Sequence, residues 1–159
     1  MKHSTRVGFN FGLTSGIITT LGLMMGLYSS THSKLAVFGG ILTIAVADSL
    51  SDAFGIHIAE EGEADHNTKE VWSSTISTFL AKFFFTLIFG VPILIFHLQT
   101  AVIFNIILGL IILSVLCIFI AKREKANTLK VIFGHISIAI LVILLTDYLG
   151  KLISKIGKI

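Results

Sequence analysis

The chain has 159 residues, of which 54% are hydrophobic and only 13% charged, and its formal net charge is +3. Because a soluble domain is nearer a quarter charged, this composition excludes an ordinary soluble globular domain and indicates a membrane protein. The excess of positive charge does not indicate nucleic-acid binding. Lysines and arginines lie near the ends of apolar segments, where they would face lipid headgroups.

Apolar segments fill almost the whole chain. Each has about the 20 residues that cross the hydrocarbon core of a bilayer as a helix. The sequence therefore predicts an all-α polytopic membrane protein with one transmembrane domain over residues 1–159, in which a short acidic connection at 60–72 is the longest polar segment. The predicted spans are roughly 7–29, 35–59, 73–97, 99–121 and 128–150.

The distribution of lysine and arginine predicts the orientation. An odd number of spans places the two termini on opposite sides, and basic residues favour the cytoplasmic side. With the N-terminus inside, seven basic residues face the cytoplasm and four face the opposite side, so we expect a cytoplasmic N-terminus. The inner group is Lys2, Arg6, Lys69, Lys122, Arg123, Lys125 and Lys130, and the outer group is Lys34, Lys151, Lys155 and Lys158.

Two aspartates in the second span, Asp48 and Asp52, are four residues apart and share a helix face. A carboxylate at mid-membrane costs at least ~2.5–3.5 kcal/mol, so something must compensate the pair. Two hard oxygen donors suit a divalent cation, with Ser15 and Thr19 of the first span as candidate partners. The alternatives are a structural ion pair with Lys82 and hydroxyls bonded to their own backbone carbonyls.

A second group of metal-binding residue types surrounds the end of the second span. Such a cluster would concentrate cations at the inner mouth of a pathway. The alternative is a solvated, negatively charged helix end. The candidate ligands are His57, Glu60, Glu61, Glu63, His66 and Glu70.

Residues 15–26 read Ser-Gly-Ile-Ile-Thr-Thr-Leu-Gly-Leu-Met-Met-Gly. This segment resembles the opening Asp-Gly-x-x-(Ser/Thr) motif, with its later glycine, of the vacuolar iron transporter family. Residues 40–55 read Gly-Ile-Leu-Thr-Ile-Ala-Val-Ala-Asp-Ser-Leu-Ser-Asp-Ala-Phe-Gly, similar to the family's glycine-rich second helix. The resemblance implies a homodimer that moves ferrous iron or manganese out of the cytoplasm, with protons as the counter-ion and no permanently bound cofactor.

The chain departs from the family pattern at defined positions. The family's first-span aspartate falls on Ser15, its second-span methionine on Asp52, and the glutamate of its Gly-Glu pair on Ile56. The connection after the second span is far shorter than the metal-binding domain of plant members. The chain thus resembles a short, divergent member in which one carboxylate is missing from the first helix and another is present on the second.

Other functions have weaker support in the sequence. The Asp-Ser-Leu-Ser-Asp segment at 48–52 resembles the Asp-x-x-x-Asp of cation diffusion facilitators, which move zinc or manganese. Those proteins have a paired His-x-x-x-Asp, whereas His135 and Asp147 are twelve residues apart here. An intramembrane protease built on Asp48 and Asp147 lacks any recognisable motif, so we expect no enzyme. A membrane metal sensor or scaffold that carries no flux is the remaining alternative.

Overall fold

The structure is a computed structural model that describes residues 3–63 and 67–156. The described residues form five α-helices, each long and apolar enough to cross a membrane. The predicted all-α fold with five candidate membrane spans is therefore confirmed, and the chain is an integral membrane protein. The helices are α1 (His3–Thr31), α2 (Lys34–Glu61), α3 (Thr68–Ile95), α4 (Leu98–Arg123) and α5 (Thr128–Ile156).

The third helix ends two residues before the approximate bound predicted for its span. The third span was expected to continue to residue 97, but α3 ends at Ile95 because Phe96 has an extended conformation (φ −98°, ψ 165°). The Phe96 N–H still donates to the carbonyl of Pro92 at 2.9 Å. The other helices contain their predicted spans and extend past them at one or both ends.

The connection predicted at 60–72 is bounded more closely than expected, since α2 extends to Glu61 and α3 already begins at Thr68. Asn67 starts α3 early through a capping box. Its side chain accepts hydrogen bonds from the N–H groups of Lys69 and Glu70, both at 3.1 Å. In return, the Glu70 carboxylate accepts from the Asn67 N–H at 3.2 Å.

Helix α1 lies at the centre of the bundle and contacts all four other helices. Helix α2 packs on α3 and α1, and α5 packs on α1 and α4. Most of α5 is exposed, and its buried residues are Ala139, Ile143 and Gly150. The arrangement leaves one side of α2 and most of α5 as outer surface of the bundle.

The most extensive helix contact joins α1 to α3. Small residues on α1 let the backbones approach, and a Cβ atom on Gly12 would collide with the carbonyl oxygen of Thr78. Polar side chains of α3 recur every fourth residue on the facing side. This register sets the position of the candidate site, because Lys82 belongs to the polar row. The α1 row is Gly8, Gly12, Gly16 and Thr20, and the α3 row is Ser74, Thr78, Lys82 and Thr86, all buried.

Candidate functional site

A lysine surrounded by helices forms the centre of the site. Lys82 is buried, with only 1% of its side chain exposed. Its aliphatic stem packs against α1, where a Cβ atom on Gly16 would stand 3.3 Å from the Lys82 Cγ. The absence of a side chain at residue 16 thus leaves room for the lysine between α1 and α3.

The Lys82 ammonium bridges the two aspartates of α2. Its Nζ atom lies 2.5 Å from Oδ2 of Asp48 and 2.5 Å from Oδ2 of Asp52. The ion pair that the sequence offered as an alternative is therefore present, and it includes both carboxylates. Within the described part of the chain, no hydrogen bond reaches the Oδ1 atom of either aspartate.

Ser15 links α1 to the same cluster. Its hydroxyl donates to Oδ2 of Asp52 at 2.6 Å and accepts a hydrogen bond from the Lys82 Nζ at 3.0 Å. Ser15, Asp52 and Lys82 thus form a closed ring of contacts between three helices. Ser15 was predicted as a candidate partner of the aspartates, and its hydroxyl contacts one of them, Asp52.

The cluster lies about halfway along each of its helices. Asp48 is near the middle of α2 and Lys82 near the middle of α3, so a bilayer around the bundle would have the site close to its midplane. The aspartates are more accessible than the lysine: 32% of the Asp48 side chain and 21% of the Asp52 side chain are exposed. The site therefore opens sideways, on the α2 surface.

With its three charged groups ionised, the cluster has a net charge of −1. One ammonium cannot neutralise two carboxylates, and the excess negative charge lies where water is scarce. Burying an unbalanced charge costs several kcal/mol. The Oδ1 atoms, which accept no hydrogen bond from the described residues, and the sideways opening would leave room for a further cation beside the two carboxylates.

Thr19 is not part of this cluster. Its hydroxyl donates to the backbone carbonyl of Ser15 at 2.9 Å, which is the alternative that the sequence left open for the hydroxyls of α1. Of the two candidate partners predicted on α1, Ser15 and Thr19, only Ser15 contacts an aspartate, and that aspartate is Asp52.

The predicted ligands at the end of α2 and the start of α3 do not converge. His57 Nδ1 is 2.9 Å from the Thr75 hydroxyl, and its ring lies edge-on to Trp72. Glu61 and Glu63 are exposed, whereas Glu60 is buried. Glu70 serves in the capping box of α3, and His66 lies outside the described residues.

Over residues 3–63 and 67–156, no three His, Cys, Asp or Glu side chains stand close enough together to hold a metal ion. A metal at the aspartate pair would therefore take its other ligands from hydroxyls, carbonyls, water or a second chain. The acidic segment remains a region of negative charge at one end of the bundle.

Sequence reasoning missed a second polar cluster near the end of α1. The Ser29 hydroxyl donates to Oδ1 of Asp147, and the Lys151 ammonium lies 2.6 Å from Oδ2 of the same carboxylate. The signal was present as a carboxylate with a lysine four residues later on one helix. This cluster joins α5 to α1 and is separate from the Asp48 cluster.

Comparison with known proteins assigns no function to this site. No protein-family model, no curated protein and no solved structure matches the chain. The resemblance of the first two helices to the vacuolar iron transporter family therefore stays a prediction from their motifs.

Proposed function

We propose that this protein is a secondary transporter of a divalent transition metal, ferrous iron or manganese, that exchanges the metal for protons. Asp48 and Asp52 bind the cation, and Lys82 occupies the same carboxylates when the cation is absent. The observation that carries the proposal is the ratio of charges: two partly exposed carboxylates share one buried ammonium.

The contacts suit exchange better than permanent pairing. Lys82 contacts one oxygen of each carboxylate, and an ionised carboxylate has about four lone-pair positions. A divalent cation could therefore bind the outer oxygens of Asp48 and Asp52 before Lys82 moves. Its double charge then replaces the ammonium as the neutralising partner. Protonation of the carboxylates releases the metal, and loss of those protons on the other side returns the site to its starting charge.

The departures from the family pattern also support the proposal. Ser15 stands where the family has its first-helix aspartate, and Asp52 stands where it has a methionine. These two side chains are in direct contact at 2.6 Å. The carboxylate of Asp52 on α2 therefore lies next to the position where the family has its α1 aspartate, so an acidic oxygen is still present there.

The acidic end of α2 fits an entry region in this proposal. Glu61 and Glu63 are exposed at the end where α1 begins, which we place in the cytoplasm from the excess of basic residues. Export from the cytoplasm would then start at these carboxylates. The C-terminus would lie on the opposite side of the membrane.

The direct test is metal flux into proteoliposomes that contain the purified protein. We expect flux of ferrous iron or manganese that is accelerated by an opposing proton gradient, since protons must leave the carboxylates for the metal to bind. Flux that prefers zinc to iron and manganese would instead favour a transporter of the cation diffusion facilitator type. Metal binding without flux of any of the three would instead support a sensor or scaffold.

We further propose that two copies pair through α2. Every fourth residue on one side of this helix is small and exposed, and the row adjoins the partly exposed aspartates. A carboxylate left facing lipid is costly, and rows of small residues allow close helix pairing. A second copy of α2 would cover the opening of the site. The row is Thr43, Ala47, Ser51, Gly55 and Ala59.

Disulfide cross-linking tests this pairing. In a background with the single cysteine removed by Cys117→Ala, we expect Ala47→Cys or Ser51→Cys to form a covalent dimer in membranes, because each would face its copy across the pair. Leu141→Cys is the matched control, since Leu141 is 55% exposed near the middle of α5. Equal cross-linking of the control, or none at either α2 position, would contradict pairing through this row.

A further inference from the structure

A cleft at the end of the bundle where α1 begins has no part in the aspartate site. It lies between the first turns of α1 and the last turns of α4 and has a volume of about 400 Å³. From the sequence alone, the basic residues of this cleft served only to predict the orientation of the chain in the membrane. Its lining residues are Arg6, Asn10, Phe119, Ile120, Lys122 and Arg123.

The polar part of the cleft is positively charged, and none of the described residues supplies a counter-ion. Three of its six lining residues are cations and none is acidic. Over residues 3–63 and 67–156, no carboxylate pairs with Arg6, Lys122 or Arg123. The Arg6 guanidinium makes a hydrogen bond of 3.1 Å to the His3 ring, which does not balance its charge.

The charged groups reach this cleft from distant parts of the sequence. Arg6 and Asn10 are one turn apart on α1, and Arg123 ends α4. The carboxylates at this end of the bundle belong mainly to α2 and α3, and Glu124, which follows α4, is exposed and does not line the cleft. The general excess of basic residues at a cytoplasmic membrane face does not require three of them to line one concave surface.

The other part of the cleft is apolar and faces outward. Phe119 is 69% exposed and precedes Lys122 and Arg123 by one turn of α4, so it lies deeper along the same side of the helix. A ligand that fits this surface has an anionic group at the level of the helix ends and a hydrocarbon part that continues along the bundle.

We propose that this cleft binds an anionic phospholipid. Arg6, Lys122 and Arg123 bind the phosphate, because guanidinium and ammonium groups donate charge-assisted hydrogen bonds to its oxygens. Asn10 donates to the glycerol ester region, and Phe119 and Ile120 contact an acyl chain. Basic clefts between membrane helices are a recurrent form of headgroup recognition.

The test compares lipid binding by the detergent-purified protein in native mass spectrometry. The probes are phosphatidylglycerol and phosphatidylcholine with identical acyl chains. We expect preferential retention of phosphatidylglycerol, weakened about 25-fold in the Arg6→Gln, Arg123→Gln double variant, at roughly fivefold for each charge removed near a membrane surface. Phosphatidylcholine retention should not change.

The matched control removes the same charge from the same end of the bundle, outside the cleft. Lys69→Gln with Lys130→Gln affects two exposed lysines at the starts of α3 and α5, and it should leave phosphatidylglycerol retention within about twofold of the unmodified protein. If both double variants weaken phosphatidylglycerol retention equally, the proposed lipid site in the cleft is wrong, and the lipid is held only by diffuse attraction to the basic surface. A melting temperature in phosphatidylcholine micelles establishes that each variant is folded.

Free glycerol phosphate distinguishes the lipid from a soluble phosphate. A lipid site needs the acyl chains as well as the phosphate, so millimolar glycerol phosphate should fail to displace bound phosphatidylglycerol. Displacement at that concentration, or equal retention of the two lipids by the unmodified protein, would overturn the assignment. None of these outcomes depends on metal transport, so this inference and the proposed function can fail separately.

Discussion

Replacing Lys82 with methionine is expected to destabilise the protein by about 3–5 kcal/mol, the usual cost of removing one partner from a buried ion pair. Methionine retains most of the volume of the buried stem, so the loss of charge is the main change. Without the ammonium, Asp48 and Asp52 lie on the same face of α2, one turn apart, with no positive partner among the contacts described. Because both carboxylates are partly exposed, we expect a destabilisation near the lower end of this range of about 3–5 kcal/mol.

The measurement is the free energy of unfolding in mixed micelles, with Lys155→Met as the control. Lys155 is exposed near the end of α5, so the same change there should cost less than about 0.5 kcal/mol, as is usual for surface substitutions. Combining Lys82→Met with Asp48→Asn and Asp52→Asn should restore most of the lost stability, because it removes the uncompensated charges as well. A Lys82→Met variant as stable as the Lys155→Met control would show that the ion pair contributes little.

Replacing either aspartate with asparagine is expected to reduce metal flux at least about tenfold, while the protein stays folded. Asparagine preserves the shape of the side chain and its hydrogen-bonding oxygen, but it removes the charge that the cation requires. Removing one carboxylate also leaves the Lys82 ammonium with one ionised partner in place of two, so the site becomes neutral without a metal. The measurement is flux of ferrous iron and manganese into proteoliposomes at matched protein content.

Asp147→Asn is the matched control for this experiment. Asp147 is another carboxylate within a predicted span, paired with Ser29 and Lys151 at the other cluster. Its replacement should leave flux within about twofold if the Asp48 cluster alone binds the cargo. Normal flux in both Asp48→Asn and Asp52→Asn would show that the site is assigned wrongly, and equal loss in all three variants would indicate a general defect of intramembrane charge.

The two experiments together separate a structural ion pair from a transport site. A purely structural pair predicts that stability falls in Lys82→Met and that flux does not depend on Asp48. A transport site predicts that the aspartate variants lose flux even where stability is kept. The position of Lys82, buried beside carboxylates that are partly exposed, is compatible with both roles in one molecule.

The sequence by itself determined the class of this protein. Apolar runs of about 20 residues must be helices in a bilayer, because no water is present to satisfy the backbone groups of another conformation. The same cost explains why Asp48 and Asp52 were recognisable as special: carboxylates are rarely kept at mid-membrane without a function or a partner. Helix ends were less determined: the observed ends of α2 and α3 differ by a few residues from the approximate bounds at 97 and 60–72, because capping by Asn67 and the extended Phe96 depend on local geometry.

Only the tertiary structure decided which partners these residues have. Spacing places Asp48 and Asp52 on one face of α2, but it does not say which helix lies opposite. The glycine row of α1 admits α3 closely enough for Lys82 to reach both carboxylates and Ser15, while Thr19, one turn from Ser15, bonds to its own backbone. Contacts between residues far apart in sequence depend on how helices pack, and the packing of α1 against α3 is a property of whole faces rather than of any single motif.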